Sequence, residues 1–267
     1  MTERKSDFEA EVQANIAALG ARHELWPKTL EWMLDVGRSK YTYNFTWLGR
    51  PIIQYPQDMI ALQEIIWRVQ PDIIIETGIA HGGSLVFSAS MLMLLDILTG
   101  GHGSQTNAAP RQHRRVIGVD VDIRTHNREA IANHPLAGMI TMLQGSSTAC
   151  EIISEVIRLV GPHDRVLVCL DSDHTREHVA AELAAYAPLV TDGSYLVVYD
   201  TVVEEMPPEF RVGKSWGPGN SPLTAVKDFL ATTDEFEVDT AFDHKLQITV
   251  ARGGYLRRIK GNHQAEA

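Results

Sequence analysis

From residue 56 onward the chain alternates between two hydrophobic periods. Short runs rich in consecutive apolar residues, at 72–76, 116–120, 140–143, 166–170 and 195–199, read as strands covered on both faces, since such strands have no polar face to show. Between and after them lie stretches at 56–69, 84–98, 126–133, 149–160, 175–187 and 222–232, which have the length and apolar content of helices that cover a sheet. The first opens on Pro56, whose fixed φ suits an initial helical turn. Alternating strand and helix predicts a parallel sheet with helices on both faces. Two further strand-like runs, 235–240 and 246–251, are joined by AFDHK and predict an antiparallel hairpin closing the series. The sheet then has seven strands, mostly parallel, with the last one antiparallel.

Residues 1–50 are less regular. Phe8, Val12, Ile16 and Leu19 stand at helical spacing and predict a short amphipathic helix. An aromatic-rich stretch follows, YTYNFTWLGR at 41–50. It either packs its rings on the main domain or forms a lid or substrate wall from Tyr41, Tyr43 and Trp47. Residues 99–115 lack periodicity and read as a surface excursion, long for such a connection. The 202–221 stretch, with Pro207-Pro208 and Gly217-Pro218-Gly219, has the character of a lid or wall, and Trp216 is its candidate substrate contact. The expected organisation is one domain over 51–260, a short N-terminal extension over 1–50 and a disordered tail at 261–267.

Composition narrows the function. The 267 residues are 44% hydrophobic and 22% charged, ordinary for a globular chain. With 24 Lys+Arg against 34 Asp+Glu the net charge is −10, which argues against a general nucleic-acid or membrane-surface partner. Cys150 and Cys169 are too few for a disulfide framework and are expected to be buried thiols. The N-terminus lacks the apolar core of a signal peptide, and no apolar run approaches the ~20 residues of a membrane helix. A cytoplasmic protein with a small-molecule partner is expected, and a homo-oligomer is compatible with the sequence.

The strand at 72–76 ends in Glu76-Thr-Gly78-Ile-Ala80-His81-Gly82-Gly83-Ser84. Small residues at every second position let the backbone turn tightly and let a ligand approach at a strand-to-helix junction. The spacing differs from the dinucleotide G-x-G-x-x-G. The next strand ends in Asp120, where a carboxylate can accept hydrogen bonds from a ribose diol; a helix cap is the plainer role, and Asp122 is the better cap candidate. Gly145 and Ser146 end the third strand, where an adenine edge would be read. Glu76, Gly78, Ala80, His81, Gly82, Ser84, Asp120, Gly145, Ser146 and Asp171 are the candidate cofactor-binding residues.

Two further strands deliver Asp171, Asp173 and His174, and then Asp200 and Thr201, to one sheet edge. Carboxylates converging at neighbouring strand tips repel one another unless a cation offsets them. Oxygen donors of this kind suit Mg²⁺, with Asp171, Asp173 and Asp200 as candidate ligands. Asp173 is also a fair helix cap. An imidazole at His174 is placed to take a proton from a substrate hydroxyl, unless it is a surface residue of the following helix.

The strand–E-x-G-x-A-x-G–helix and strand–G-V-D patterns resemble the class I S-adenosylmethionine-dependent methyltransferases. Gly82-Gly83-Ser84, Leu170-Asp171-Ser172-Asp173-His174, Tyr199-Asp200-Thr201 and Trp216-Gly217-Pro218-Gly219 resemble the family named after cephalosporin hydroxylase, over about residues 40–260. The resemblance implies a Rossmann-like fold, S-adenosylmethionine as cofactor, Mg²⁺, and methyl transfer to a sugar or natural-product hydroxyl. It implies His174 as base, three positions after the metal aspartate Asp171. The family pattern has Glu where Tyr199 stands, so one potential carboxylate ligand is missing, with Glu204 and Glu205 nearby as substitutes. A nicotinamide-dependent oxidoreductase, a metal-dependent hydroxylase and a non-catalytic cofactor-binding protein are the alternatives.

Overall fold

The computed structural model describes residues 7–100, 114–211 and 213–259. The excursion is described only at its two ends, and the 261–267 tail lies outside these residues. Helices α1 (Asp7–Gly20) and α2 (Leu25–Gly37) precede a two-stranded antiparallel hairpin, β1 (Phe45–Trp47) and β2 (Arg50–Ile52). The alternating part follows as α3 (Pro56–Val69), β3 (Ile73–Thr77), α4 (Gly83–Gly100), β4 (Arg115–Asp120), α5 (Thr125–Ala132) and β5 (Ile140–Gln144). It continues with α6 (Cys150–Leu159), β6 (Val166–Leu170), α7 (Arg176–Tyr186), β7 (Tyr195–Val198) and α8 (Pro222–Leu230). The chain then adds β8 (Phe236–Val238), α9 (Thr240–Leu246) and β9 (Tyr255–Arg258).

The main sheet has seven strands in the order β5-β4-β3-β6-β7-β9-β8. The strands from β5 to β7 are parallel, and β9 runs antiparallel to both β7 and β8. Period-two alternation divides the strands between two apolar layers. Ile74, Val116, Leu167, Cys169, Tyr195, Val197 and Tyr199 face the layer of α3 and α4, whereas Ile73, Ile75, Val166, Val168, Leu170, Leu196 and Val198 face that of α6, α7 and α8. Helices therefore cover both faces, as the apolar runs predict.

The predicted closing hairpin needs correction. Its first strand exists, but 246–251 is not a strand; α9 occupies 240–246 and the reversed strand is β9. Gln247 adopts φ +57°, and Thr249 and Val250 turn inward to a buried carboxylate. Asp58 in the first turn of α3 accepts from the Thr249 hydroxyl, from Tyr255 Oη at 2.8 Å and from the Val250 amide at 3.0 Å. The branched residues that suggest a strand serve this contact instead. The expectation of two buried cysteines is also half corrected: Cys169 is buried, while Cys150 in the first turn of α6 is exposed.

The N-terminal region contains more structure than its sequence pattern suggests. Val12, Ile16 and Leu19 are half-buried along one side of α1, and Phe8 stays exposed. The unpredicted α2 buries Met33 in a small cluster with Tyr55, Val202 and Met206. Trp26 Nε1 donates to Glu205 Oε2 at 2.6 Å, and the Arg252 guanidinium lies 3.9 Å from the Trp26 ring centroid. The aromatic stretch divides between its two readings. Trp47 packs edge-on against Phe87 of α4 and donates to Ser90 Oγ at 3.0 Å, while Tyr43 is exposed on the rim of the cavity described below. Among the described residues, no helix is long and apolar enough to cross a membrane.

Glu76, at the end of β3, is buried beneath the start of α4 with the Ser84 hydroxyl donating to it. Burial pushes its carboxyl up to about 7, against the opposing pull of that hydrogen bond. The unfolded carboxyl ionises near 4.5, so the fold binds the extra proton between these values and stability falls as pH rises through that window. Glu76→Gln is expected to be more stable than the parent at pH 8, by on the order of 3 kcal/mol. The gap should close by pH 4, and denaturant melts at both pH values measure it.

Candidate functional site

The loops at the carboxyl ends of β3 to β7 enclose a cavity of about 870 Å³. Gly78, Ala80, His81, Ser84, Asp120, Ser146, Asp171, Asp173, His174 and Asp200 line it, so most of the sequence-predicted residues meet in one place. Glu76, Gly82 and Gly145 are not on its wall: Glu76 sits under the turn, and Gly82 and Gly145 shape the two loops from behind.

The turn after β3 is held from three sides. Gly78 adopts φ +90°, and a Cβ there would lie 2.0 Å from the Asp171 carbonyl oxygen, so β3 and β6 meet without room for a side chain. Asp120 reaches across from β4. Its Oδ2 accepts from the amides of Ile79 at 2.8 Å and Ala80 at 3.2 Å, and its Oδ1 accepts from Asp122 at 2.9 Å. A carboxylate has about four acceptor sites, so roughly one remains for a ligand. Asp122 does not cap α5; Arg124 occupies that position. From the outside, Arg50 of β2 donates to the His81 carbonyl and to Asn127 Oδ1 at 3.1 Å. The hairpin backbone lies so close that a Cβ on Gly83 would be 2.2 Å from the Pro51 carbonyl oxygen.

The acidic group assembles differently from the prediction. Asp171, His174 and Asp200 each present a ligand atom, all within 4.8 Å of one another. Asp173 is not in that cluster, because its Oδ1 accepts from the Thr175 amide at 2.8 Å and hydroxyl at 2.5 Å ahead of α7. His174 stands in its place, with Nε2 3.0 Å from Asp200 Oδ2. Asp200 holds φ +53°, a left-handed conformation that aspartate tolerates better than most residues. Burial, followed by the charges of Asp200 and Glu76, pushes the Asp171 carboxyl well above the usual range. Gln54, which the sequence did not single out, donates to Asp171 Oδ2 at 3.1 Å.

Tyr199 lies in the core rather than on the cavity wall. Its side chain continues the alternation of Tyr195 and Val197 into the α3–α4 layer and is buried in the core. Neither proposed substitute is free. Glu205 accepts from Trp26. Glu204 accepts from the Gly219 amide at 3.1 and 3.0 Å, Ser221 Oγ at 2.5 Å and Thr224 Oγ1 at 2.9 Å, pinning the end of the 202–221 loop to the start of α8. Asn220 Oδ1 accepts from the Arg176 amide at 2.9 Å at the start of α7. This anchoring sets Trp216 edge-on to His174, with ring centroids 5.6 Å apart.

A family model described as rhamnosyl O-methyltransferase/CmcI matches residues 39–259. A Mycobacterium leprae protein named rhamnosyl O-methyltransferase is 29% identical over 214 residues, covering 80% of this chain and 82% of its own. The Mycobacterium tuberculosis (strain H37Rv) protein of that name is 30% identical over 221 residues, covering 80% and 78%. Two solved structures share the fold. A CmcI structure with Mg and SAM has a TM-score of 0.52 at 18% identity, covering 82% of this chain and 78% of that one. An apo CmcI structure has a TM-score of 0.53 at 19% identity, with the same coverage. With a match spanning the hairpin, the glycine turn and the acidic cluster alike, the chain belongs to the rhamnosyl O-methyltransferase/CmcI family.

Proposed function

We propose that this chain is an S-adenosylmethionine-dependent O-methyltransferase that acts on a sugar hydroxyl of a small molecule with the help of a divalent cation. The observation that carries this reading is one cavity holding both the glycine turn tied to Asp120 and the Asp171–His174–Asp200 cluster. The names of the mycobacterial relatives support a sugar acceptor.

The residues present fit both groups. Asp120 keeps an acceptor site for a ribose hydroxyl, beside a turn whose small residues leave backbone open to a ligand. The carboxylates of Asp171 and Asp200 are oxygen donors of the kind a hard divalent cation takes. The cofactor, when bound, supplies an electrophilic methyl carbon, and the cation supplies positive charge that favours ionisation of a nearby hydroxyl. Asp200 holds His174 through Nε2, so Nδ1 is left to accept the acceptor hydroxyl's proton. Trp216 and Tyr43 border the same cavity and offer flat apolar faces to a sugar ring.

His174 also has a second reading, as a third ligand, because its ring nitrogen lies in the same cluster. Imidazole ligation would shift preference toward Mn²⁺ or Zn²⁺. Two carboxylates and one imidazole are the inverse of the two-histidine-one-carboxylate iron site of hydroxylases, which disfavours that alternative.

Calorimetry with S-adenosylhomocysteine and with Mg²⁺, combined with a methyl-transfer assay on rhamnose-bearing acceptors, tests the reading. Asp200→Asn is expected to lose Mg²⁺ binding and to lower transfer by about a hundredfold or more, whereas Asp173→Asn should retain Mg²⁺ binding. Equal Mg²⁺ binding by the parent and Asp200→Asn would refute the assigned ligands. Trp216→Ala is expected to raise the acceptor KM about tenfold with cofactor affinity unchanged, as read from steady-state kinetics at saturating cofactor.

A further inference from the structure

A second polar cluster, distinct from the acidic trio, lies on the cavity wall. Glu182 of α7 is fully buried. Its Oε1 accepts from Ser147 Oγ at 2.6 Å and Ser172 Oγ at 2.7 Å. Both serine oxygens also lie against His178 Nε2, at 3.0 and 3.1 Å, and Glu182 Oε1 is 3.4 Å from that nitrogen. Ser147 belongs to the loop after β5 and Ser172 follows β6, so this network ties two strand-end loops to α7. His178, Ser147 and Ser172 line the cavity.

Proton bookkeeping places a proton on the Nε2 of His178. Each serine has one hydroxyl proton and gives it to Glu182, so each oxygen faces Nε2 with a lone pair, and Nε2 must carry a proton. Glu182 is a carboxylate removed from water, and among the described residues its Oε2 has no hydrogen-bond partner. Among the described residues, His178 is the one cation-forming group paired with it. A buried carboxylate is tolerated when paired, and this pairing favours the imidazolium form of His178. The Glu182 hydrogen bond raises the histidine's affinity for its proton, opposed by burial and reinforced by Asp173. Nδ1 then also carries a proton, and among the described residues it has no hydrogen-bond partner. A charged donor thus stands at the cavity wall without an acceptor.

We infer that His178 is a cofactor-binding residue whose Nδ1–H donates to a ring nitrogen of the cofactor's adenine, with Glu182 as the positioning residue that orients it. This rests on the cofactor reading above. If the methyl group is transferred beside Asp171 and Asp200, the nucleoside must extend away from them past Asp120. It then reaches the loops of Ser146, Ser147 and Ser172, where His178 waits. A purine presents acceptor nitrogens along its edges, which such a donor can meet.

Calorimetric titration of the full chain with S-adenosylhomocysteine and its 1-deaza, 3-deaza and 7-deaza analogues tests the inference, since each analogue lacks one ring nitrogen. His178→Asn is expected to weaken S-adenosylhomocysteine about tenfold and to leave Mg²⁺ binding unchanged. One analogue should bind the parent about tenfold more weakly than the complete ligand, yet equally to His178→Asn. Glu182→Gln, which keeps an acceptor for both serines, should lower the His178 titration midpoint read by NMR and weaken cofactor binding in the same direction. Thermal melts establish that both variants fold. If the parent binds S-adenosylhomocysteine but His178→Asn binds it equally well, or all three analogues lose the same affinity in both proteins, the inference is overturned while the cofactor reading stands. A parent that does not bind S-adenosylhomocysteine overturns both.

Discussion

The site depends on how closely β3 and β6 approach at their carboxyl ends. The Asp171 amide donates to the Thr77 carbonyl at 3.0 Å, and its own carbonyl occupies the space a side chain at 78 would need. The turn that begins at Gly78 and the acidic cluster that begins at Asp171 are therefore neighbouring parts of one hydrogen-bonded strand pair. Their separation is set by sheet geometry rather than by loops, which is the precision a transfer between two bound partners requires. Everything else in the cavity is arranged around this junction. Asp120 steadies the turn from β4, the hairpin covers it from outside, and Asp200 completes the acidic side from β7.

Charge is the second organising theme. Of the chain's excess acidity, Glu76, Asp171 and Asp200 lie within one region of strand ends, and Asp58 lies deeper in the same layer. Burial raises the proton affinity of Asp58, Glu76 and Asp171 alike. Such a concentration is costly in a folded chain without compensation. Positive charge at the cavity relieves it, and the proposed cofactor and metal are both cationic there. The net charge of −10 is thus partly a local property of the site.

Much of this was legible in the sequence because buried parallel strands leave an unmistakable apolar run, and their ends are where ligands bind. Asp120, Asp171 and Asp200 follow directly from that rule. The misplaced hairpin shows its limit: Leu246–Ala251 has strand-like composition, but the buried Asp58 claims its polar groups, whereas Tyr255–Arg258 pairs with β7 despite two arginines. The displacement of Asp173 from the cluster was readable from Thr175 two residues later, a local turn pattern. Tyr199 could have been assigned to the core from its alternation with Tyr195 and Val197. Gln54, Arg50, His178 and Glu182 had no such signal, since their roles arise from contacts between segments distant in sequence.

Asp58 carries a consequence for how the protein is made. Its carboxylate is buried in the first turn of α3, yet the groups that satisfy it, Thr249, Val250 and Tyr255, lie almost 200 positions later. On a ribosome, the parallel strands from β3 to β7 can emerge and pair before those partners exist. The α3 end of the layer beneath the cavity cannot close until then, because an unsatisfied buried carboxylate opposes it. Completion of the site is therefore tied to emergence of the segment from Thr249 to Tyr255, and a chain that stops before β9 carries the glycine turn and the acidic residues without the layer that supports them.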